Sequence, residues 1–330
     1  VRFIEVFMPA DRLELARSSV SSLDTLSIWW EKLSDDQAQL HILAEAERSE
    51  EITDKLRSAL ADSGEALKII SLPVESSIPA PEETSEEGRK HCGVLSRKIH
   101  RVSREELQAD VQEMMRTSWP NFMMTILSAV VCAVGLARSN IAIIIGAMVI
   151  APLLGPNVGL ALSVTLGDFG FIIRALRENL LRIGAALAFA FAVGSLFHID
   201  PCVNEIASRT VINHTDIIVA LAAGAAGALA LSTGAPATLI GVMVATALMP
   251  PLVVTGMLTA LGLYSAAFGS LQLLAVNLIS INLAGVLTFL VMGFRPGSRE
   301  DVTKAKVLVT LALMVWIAML ITLTLLILSS

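Results

Sequence analysis

Charge is what this sequence has least of. Only 16% of its 330 residues are Asp, Glu, Lys or Arg, where a soluble domain carries about 25%. With 54% hydrophobic residues and a mean hydropathy of +0.70, that deficit places the chain outside the ordinary soluble class. Most of the charge lies before Trp119, so the net charge of −6 leaves no electrostatic footprint for nucleic acid. Cysteine is scarce as well. Cys92, Cys132 and Cys202 are odd in number and show no CxxC spacing, which excludes a disulfide framework or a zinc site as the organising element. The stretch Val1-Arg2-Phe3-Ile4-Glu5 lacks the long apolar core of a secretory signal. A Gly-Ser nucleophile elbow, a phosphate loop and an HExxH helix are all missing. With no nucleophile, base and metal set in view, an enzyme is not expected, no catalytic or metal-binding residue is assigned, and no cofactor can be named.

What is present falls into two parts. In the first, Ile4, Val6 and Met8 alternate with Phe3, Glu5 and Phe7, the period of a strand. Leu13, Ala16, Val20 and Leu23 follow at helical spacing. Thr25–Leu33 and Ala38–Ala46 read as strands, and Ser49 reads as the N-cap of a helix with Ile52, Leu56 and Leu60 on one side. Leu67–Leu72 reads as a last strand, stopped by Pro73. The order βαββαβ predicts a ferredoxin-like α+β domain over residues 1–74 on the cytosolic side. A polar linker over 75–102, rich in Pro, Ser and Glu, cannot bury a core. Ser103-Arg104-Glu105-Glu106 is a capping box that opens an amphipathic juxtamembrane helix over 103–118.

Seven apolar segments follow, near 121–137, 141–166, 181–198, 216–232, 237–262, 276–294 and 306–328. About 20 apolar residues cross a bilayer core, so the expected fold is an α-helical membrane protein with seven transmembrane helices. Trp119 marks the membrane interface. Lys and Arg cluster in the stretch before the first segment (Arg97, Lys98, Arg101, Arg104, Arg116). They cluster again in the second-to-third joint (Arg174, Arg177, Arg182) and in the sixth-to-seventh (Arg295, Arg299, Lys304, Lys306). The positive-inside rule then puts the N-terminus in the cytoplasm and the C-terminus outside.

The segments repeat. Ile145-Gly146-Ala147-Met148-Val149 recurs as Ile240-Gly241-Val242-Met243-Val244, 95 positions later, and Pro156 falls on Pro251. In the third segments, Asn179-Leu180 aligns with Asn277-Leu278 at an offset of 98. The copies span 119–199 and 216–294, separated by an extracytoplasmic loop at 200–215, and 295–330 supplies a joint and the seventh helix. Three crossings is an odd number, so the copies are expected to be inverted, a 3+3 inverted repeat. Each copy holds a Pro/Gly-interrupted segment: Gly146, Pro152, Gly155, Pro156 and Asn157 in one, Gly241, Thr246, Pro250 and Pro251 in the other. Paired interruptions of this kind point to a binding site at the bilayer midplane. The bland alternative is a pair of proline kinks that only shape packing. Together with Asn277 and Asn282 on the sixth segment, these residues form the candidate substrate site. Asn277 and Asn282 have a second reading as bonds to neighbouring helices. Gly224 and Gly227 permit close helix approach, within a protomer or between protomers of a homo-oligomer.

Gly135-Leu136, Ser139 and the run Ile145 to Pro156 resemble the DUF389 family of prokaryotic membrane proteins, as do Ser103–Leu107 and Gly167-Asp168. The resemblance covers roughly 100–295 and is most specific over 135–168. It implies a prokaryotic inner-membrane protein and carries no substrate or reaction with it. The expected function is a transporter or channel for a small solute or ion, regulated or held together by the cytosolic domain. The rival is a membrane-bound ligand sensor without transport.

Overall fold

The computed structural model describes residues 1–21, 23, 25–45, 48–60, 67–74, 102–197, 200–235, 237–296 and 299–329. At 73, 237–243, 246, 299–302, 304 and 325–329 it describes the backbone alone. The expected linker thus lies outside the described residues up to position 101. The chain divides into two units, Val1–Glu106 and Leu107–Ser330.

In the first unit, strict alternation over β1 (Arg2–Pro9) turns Ile4, Val6 and Met8 to the core. The elements α1 (Leu13–Val20), β2 (Ser27–Lys32), β3 (Gln37–Ala44), α2 (Ser49–Ala59) and β4 (Lys68–Pro73) follow in the predicted order. The sheet runs β2-β3-β1-β4, and every neighbouring pair is antiparallel. Leu13, Ala16 and Val20 of α1 and Ile52 and Leu56 of α2 close the core over it. One expected cap moves: the N-cap of α2 is Arg48, without a side-chain bond, and Ser49 is the first helical residue, itself buried. The predicted capping box forms in half. Ser103 Oγ accepts from the Glu106 amide at 3.2 Å, while the Glu106 carboxylate pairs with Arg2.

The second unit is helical. It takes up the remainder of α3 (Arg104–Met115), followed by α4 (Trp119–Ala137), α5 (Ile141–Ile150), α6 (Leu154–Leu166) and α7 (Phe169–Leu196). Then come the short α8 (Asn204–Ala207), α9 (His214–Ser232), α10 (Ala237–Ala260), α11 (Tyr264–Val291) and α12 (Arg299–Ser329). Among the described residues, five helices are long and apolar enough to cross a bilayer, and the bent pair α5–α6 makes a sixth. Local chemistry sets the starts. Ser118, Asn140 and Asp168 each accept a bond from an amide in the first turn of α4, α5 and α7, and Asn213 with Asp216 forms a capping box on α9.

Two expectations about the helices change. Helices α7 and α11 each begin 12 residues before the apolar segments at 181–198 and 276–294. Hydropathy locates the apolar stretch, whereas the hydrogen-bonded helix runs on through Arg174, Arg177 and Glu178 in one case and Tyr264, Ser265 and Ser270 in the other. The offset between copies is also simpler than the aligned asparagines implied. Helices α4 and α9 start and end 95 positions apart, and so do α7 and α11. The turns keep the same spacing, with positive φ at Gly167 and Gly262, and at Ser139 and Gly234. Arg182 therefore stands opposite Asn277, and Asn179 has no asparagine counterpart.

Packing follows the same correspondence. In the first copy α4 lies on α5 and α7, and in the second α9 lies on α10 and α11. Across the copies, α10 packs on α7 and α6 packs on α11. Glycines admit the close approaches. A Cβ on Gly256 would stand 2.6 Å from Ala190 Cβ, and one on Gly285 would stand 3.0 Å from Ala161 Cβ, the same contact with the copies exchanged. Gly224 meets the Ile281 backbone, so its close approach is made inside the protomer.

Candidate functional site

The first interruption is a true break. Helices α5 and α6 meet at 54°. Ala151 leaves the helix with ψ 116°, as a residue before proline tends to do. Pro152 and Pro156, four positions apart, strip amide donors from two successive turns. The second interruption differs from expectation: α10 runs unbroken from Ala237 to Ala260 with Pro250 and Pro251 inside it. Adjacent prolines confine the missing donors to one turn, and the helix continues on either side.

Inside α10, Pro251 leaves the carbonyl four residues back without its usual donor. A buried orphan of this kind costs about 1–3 kcal/mol, and more in hydrocarbon. In α10 the carbonyl is that of Ala247, and Asn277 Nδ2 of α11 donates to it at 2.7 Å. In the first copy the matched carbonyl is that of Pro152, in the break before α6, and the Arg182 guanidinium of α7 donates to it. The two carbonyls and the two donors occupy equivalent places, so in each copy the third helix donates to a free carbonyl of the second segment. Arg182 also reaches the carbonyls of Met114 and Met115 at 3.4 Å, the end of α3. Its side chain is only 3% exposed, so it does not belong to the solvated positive charge of a loop. Nearby Glu178 is buried too, accepts from Thr117 Oγ1 and pairs with Arg177. The Pro251 carbonyl accepts from Thr255 Oγ1 at 2.7 Å and Ser270 Oγ at 2.8 Å.

A polar cluster forms where α6, α7 and α11 meet. Asn157, fully buried, donates to the Leu153 carbonyl at 2.8 Å. Its Oδ1 accepts from Asn179 Nδ2 at 2.9 Å and, more weakly, from Asn282 Nδ2 at 3.5 Å. Asn282 Nδ2 also donates to the Leu278 carbonyl at 2.8 Å. The oxygens Asn179 Oδ1, Asn282 Oδ1, Asn277 Oδ1 and Ser280 Oγ are buried and have no partner. Four such atoms would cost several kcal/mol if kept dry, and native interiors resolve that cost with water or a ligand.

The candidate residues sort as follows. Asn157 and Asn282 share the cluster, joined by Asn179. Asn277 stands at the α10–α11 contact with its oxygen unpaired. Pro152 and Pro156 shape the break, and Pro250 and Pro251 are buried within α10. Gly155 makes room for α3: a Cβ there would lie 2.7 Å from the Met114 carbonyl oxygen, and Gly159 one turn on faces Met115. Gly146 is exposed, with nothing within 4 Å of its Cβ position. Gly241 and Thr246 lie in α10, where their side chains are outside the described residues. Residue-type reading missed Arg182, whose signal was the offset of 95 that sets it opposite Asn277. Ser280, one turn from Asn277 on α11, stood outside the candidate set.

Residues 148–283 match the family described as "Domain of unknown function (DUF389)". That segment encloses Pro152, Pro156, Asn157, Asn179, Arg182, Asn277, Ser280 and Asn282, so both donor contacts and the asparagine cluster lie inside the DUF389 match. The chain is similar along nearly its whole length to the uncharacterized protein MJ0678 of Methanocaldococcus jannaschii. The two are 29% identical over 320 residues, 97% of this chain and 96% of the relative. No solved structure matches.

Proposed function

We propose that this protein moves a small solute or ion across a prokaryotic inner membrane, through the region where Asn157, Asn179 and Asn282 meet. The observation that carries the reading is the set of buried, unpartnered side-chain oxygens beside a helix break, where α6 and α7 of one copy adjoin α11 of the other. Irregular backbone and unsatisfied polar atoms are tolerated at membrane depth where they face water or a ligand.

In this reading α4, α5–α6, α7, α9, α10, α11 and α12 are seven crossings, and the copies form an inverted repeat. The constant offset and the exchanged contacts of Gly256 with Ala190 and Gly285 with Ala161 support it. The N-terminus is cytoplasmic and the C-terminus external. The first unit is a ferredoxin-like domain, supported by its βαββαβ order and β2-β3-β1-β4 sheet. The protein acts without catalysis, as a homo-oligomer in the bilayer.

The test is permeability of proteoliposomes holding the full chain to urea, glycerol, potassium and chloride. Wild type is expected to exceed protein-free vesicles for at least one of them. Asn157→Leu, which removes the oxygen shared by Asn179 and Asn282, is expected to abolish the excess while the protein stays folded. Wild-type vesicles no leakier than empty ones would end the transport reading.

A sensor reading has one observation in its favour. A cavity of about 360 Å³ in the first unit is lined by Phe7, Asp36, Gln37, Lys68 and Ile70, among others. It predicts that a small ligand binds the full chain there and that no solute crosses.

A further inference from the structure

The partnerless atoms of the membrane unit are of one kind. Among the described residues, they are the amide oxygens of Asn179, Asn277 and Asn282 and the hydroxyl of Ser280. An amide oxygen only accepts, and a hydroxyl does either. Each amide nitrogen of Asn157, Asn179, Asn277 and Asn282 makes at least one bond, and those of Asn157, Asn179 and Asn277 keep a second N–H. The atoms with no bond at all are oxygens, and an occupant that satisfies them must bring N–H or O–H groups, with a few N–H groups beside them left for it to accept from.

Charge narrows the class further. Arg182 lies one helical turn beyond Asn179, and its guanidinium is held on the Pro152 carbonyl, five residues before Asn157. Its nearest opposite charge, Glu178, is already committed to Thr117 and Arg177. A fixed guanidinium in a low-dielectric interior repels a cation brought to the asparagines. An anion brings no N–H or O–H group of its own and would leave the three amide oxygens unpaired. Divalent metals favour carboxylate ligands, and no group of three or more His, Cys, Asp or Glu placed to hold a metal occurs among the described residues.

We infer that the asparagine site takes an uncharged solute rich in hydrogen-bond donors, the class to which urea, small amides and small polyols belong. This rests on the transport reading above and names its substrate class. The Asn179 and Asn282 oxygens accept from the solute while Asn157 holds both side chains in place.

The experiment is stopped-flow light scattering on proteoliposomes of the full chain, with urea and glycerol as the neutral probes. Potassium and chloride entry is read separately with fluorescent reporters. The expected result is a several-fold rise in urea or glycerol permeability over protein-free vesicles, with no rise for either ion. Asn179→Leu combined with Asn282→Leu should return the neutral flux to the protein-free value. The comparison among solutes is made on wild type, so it does not depend on how the variant folds. Ion flux without neutral flux would overturn the solute class and leave transport standing. If no probe crosses faster than in empty vesicles, both fall, and the oxygens hold resident water only. Neutral flux that survives in a folded double variant would place the site elsewhere.

Discussion

The pairing of Asn277 with the Ala247 carbonyl makes a quantitative prediction. Pro251 has no amide hydrogen, so the Ala247 carbonyl lacks its normal helical donor and relies on Asn277 Nδ2 at 2.7 Å. Replacing Asn277 with Leu orphans that carbonyl, at about 1–3 kcal/mol. It also removes Asn277 Oδ1, itself buried and unpaired, which returns a similar amount. The single substitution is therefore uninformative, and a double-mutant cycle is needed. With Pro251→Ala the backbone amide at 251 can donate to the Ala247 carbonyl, so losing Asn277 no longer orphans it. The oxygen term is common to both backgrounds and cancels. The expected coupling is about 1–2 kcal/mol, with Asn277→Leu more harmful when Pro251 is present than in the Pro251→Ala background. Reversible denaturation in mixed micelles, followed by tryptophan fluorescence, reads all four corners. Additive effects, with coupling below about 0.5 kcal/mol, would refute the claim that Asn277 stands in for the missing amide.

Two further predictions use features independent of that bond. Gly155→Ala should destabilise by about 1–3 kcal/mol, because the added Cβ meets the Met114 backbone at 2.7 Å and backbone cannot step aside. Gly146→Ala, with nothing within 4 Å, should stabilise by about 0.5–1 kcal/mol; thermal unfolding in detergent compares the two, and equal effects would contradict the packing of α3 on α6. In a Cys92→Ser background, a membrane-impermeant maleimide should modify exposed Cys202 only in vesicles that present the outer face. Buried Cys132 should react only after denaturation. Labelling of Cys202 from the cytoplasmic face would reverse the proposed orientation.

Much of the small N-terminal unit was legible because its signals are local. Alternation over Ile4, Val6 and Met8 needs no partner to be read, although β4 takes in Pro73, which was expected to stop it. The membrane helices were legible in position but not in length, since polar residues at the starts of α7 and α11 hide a continuing helix from any hydropathy window. Counting asparagines misled, because Asn179 and Asn277 share a residue type without sharing a position. The turns at Gly167 and Gly262 keep the register that shows this.

The sequence by itself determined that the chain holds segments apolar enough to cross a bilayer, that a three-segment pattern recurs 95 positions later, and where prolines remove backbone donors. These follow from composition, period and the chemistry of single residues. Only the tertiary structure decided that one interruption breaks its helix and the other does not. It also decided that Arg182 and Asn277 serve as equivalent caps, and that the oxygens of Asn179, Asn277, Ser280 and Asn282 end up buried without partners. The bend goes with the spacing of the prolines, four apart around Gly155 in one copy and adjacent in the other, while in both copies the carbonyl at the matched position takes its donor from the third helix. That donor lies 30 residues away in both copies, within reach only once the helices have packed.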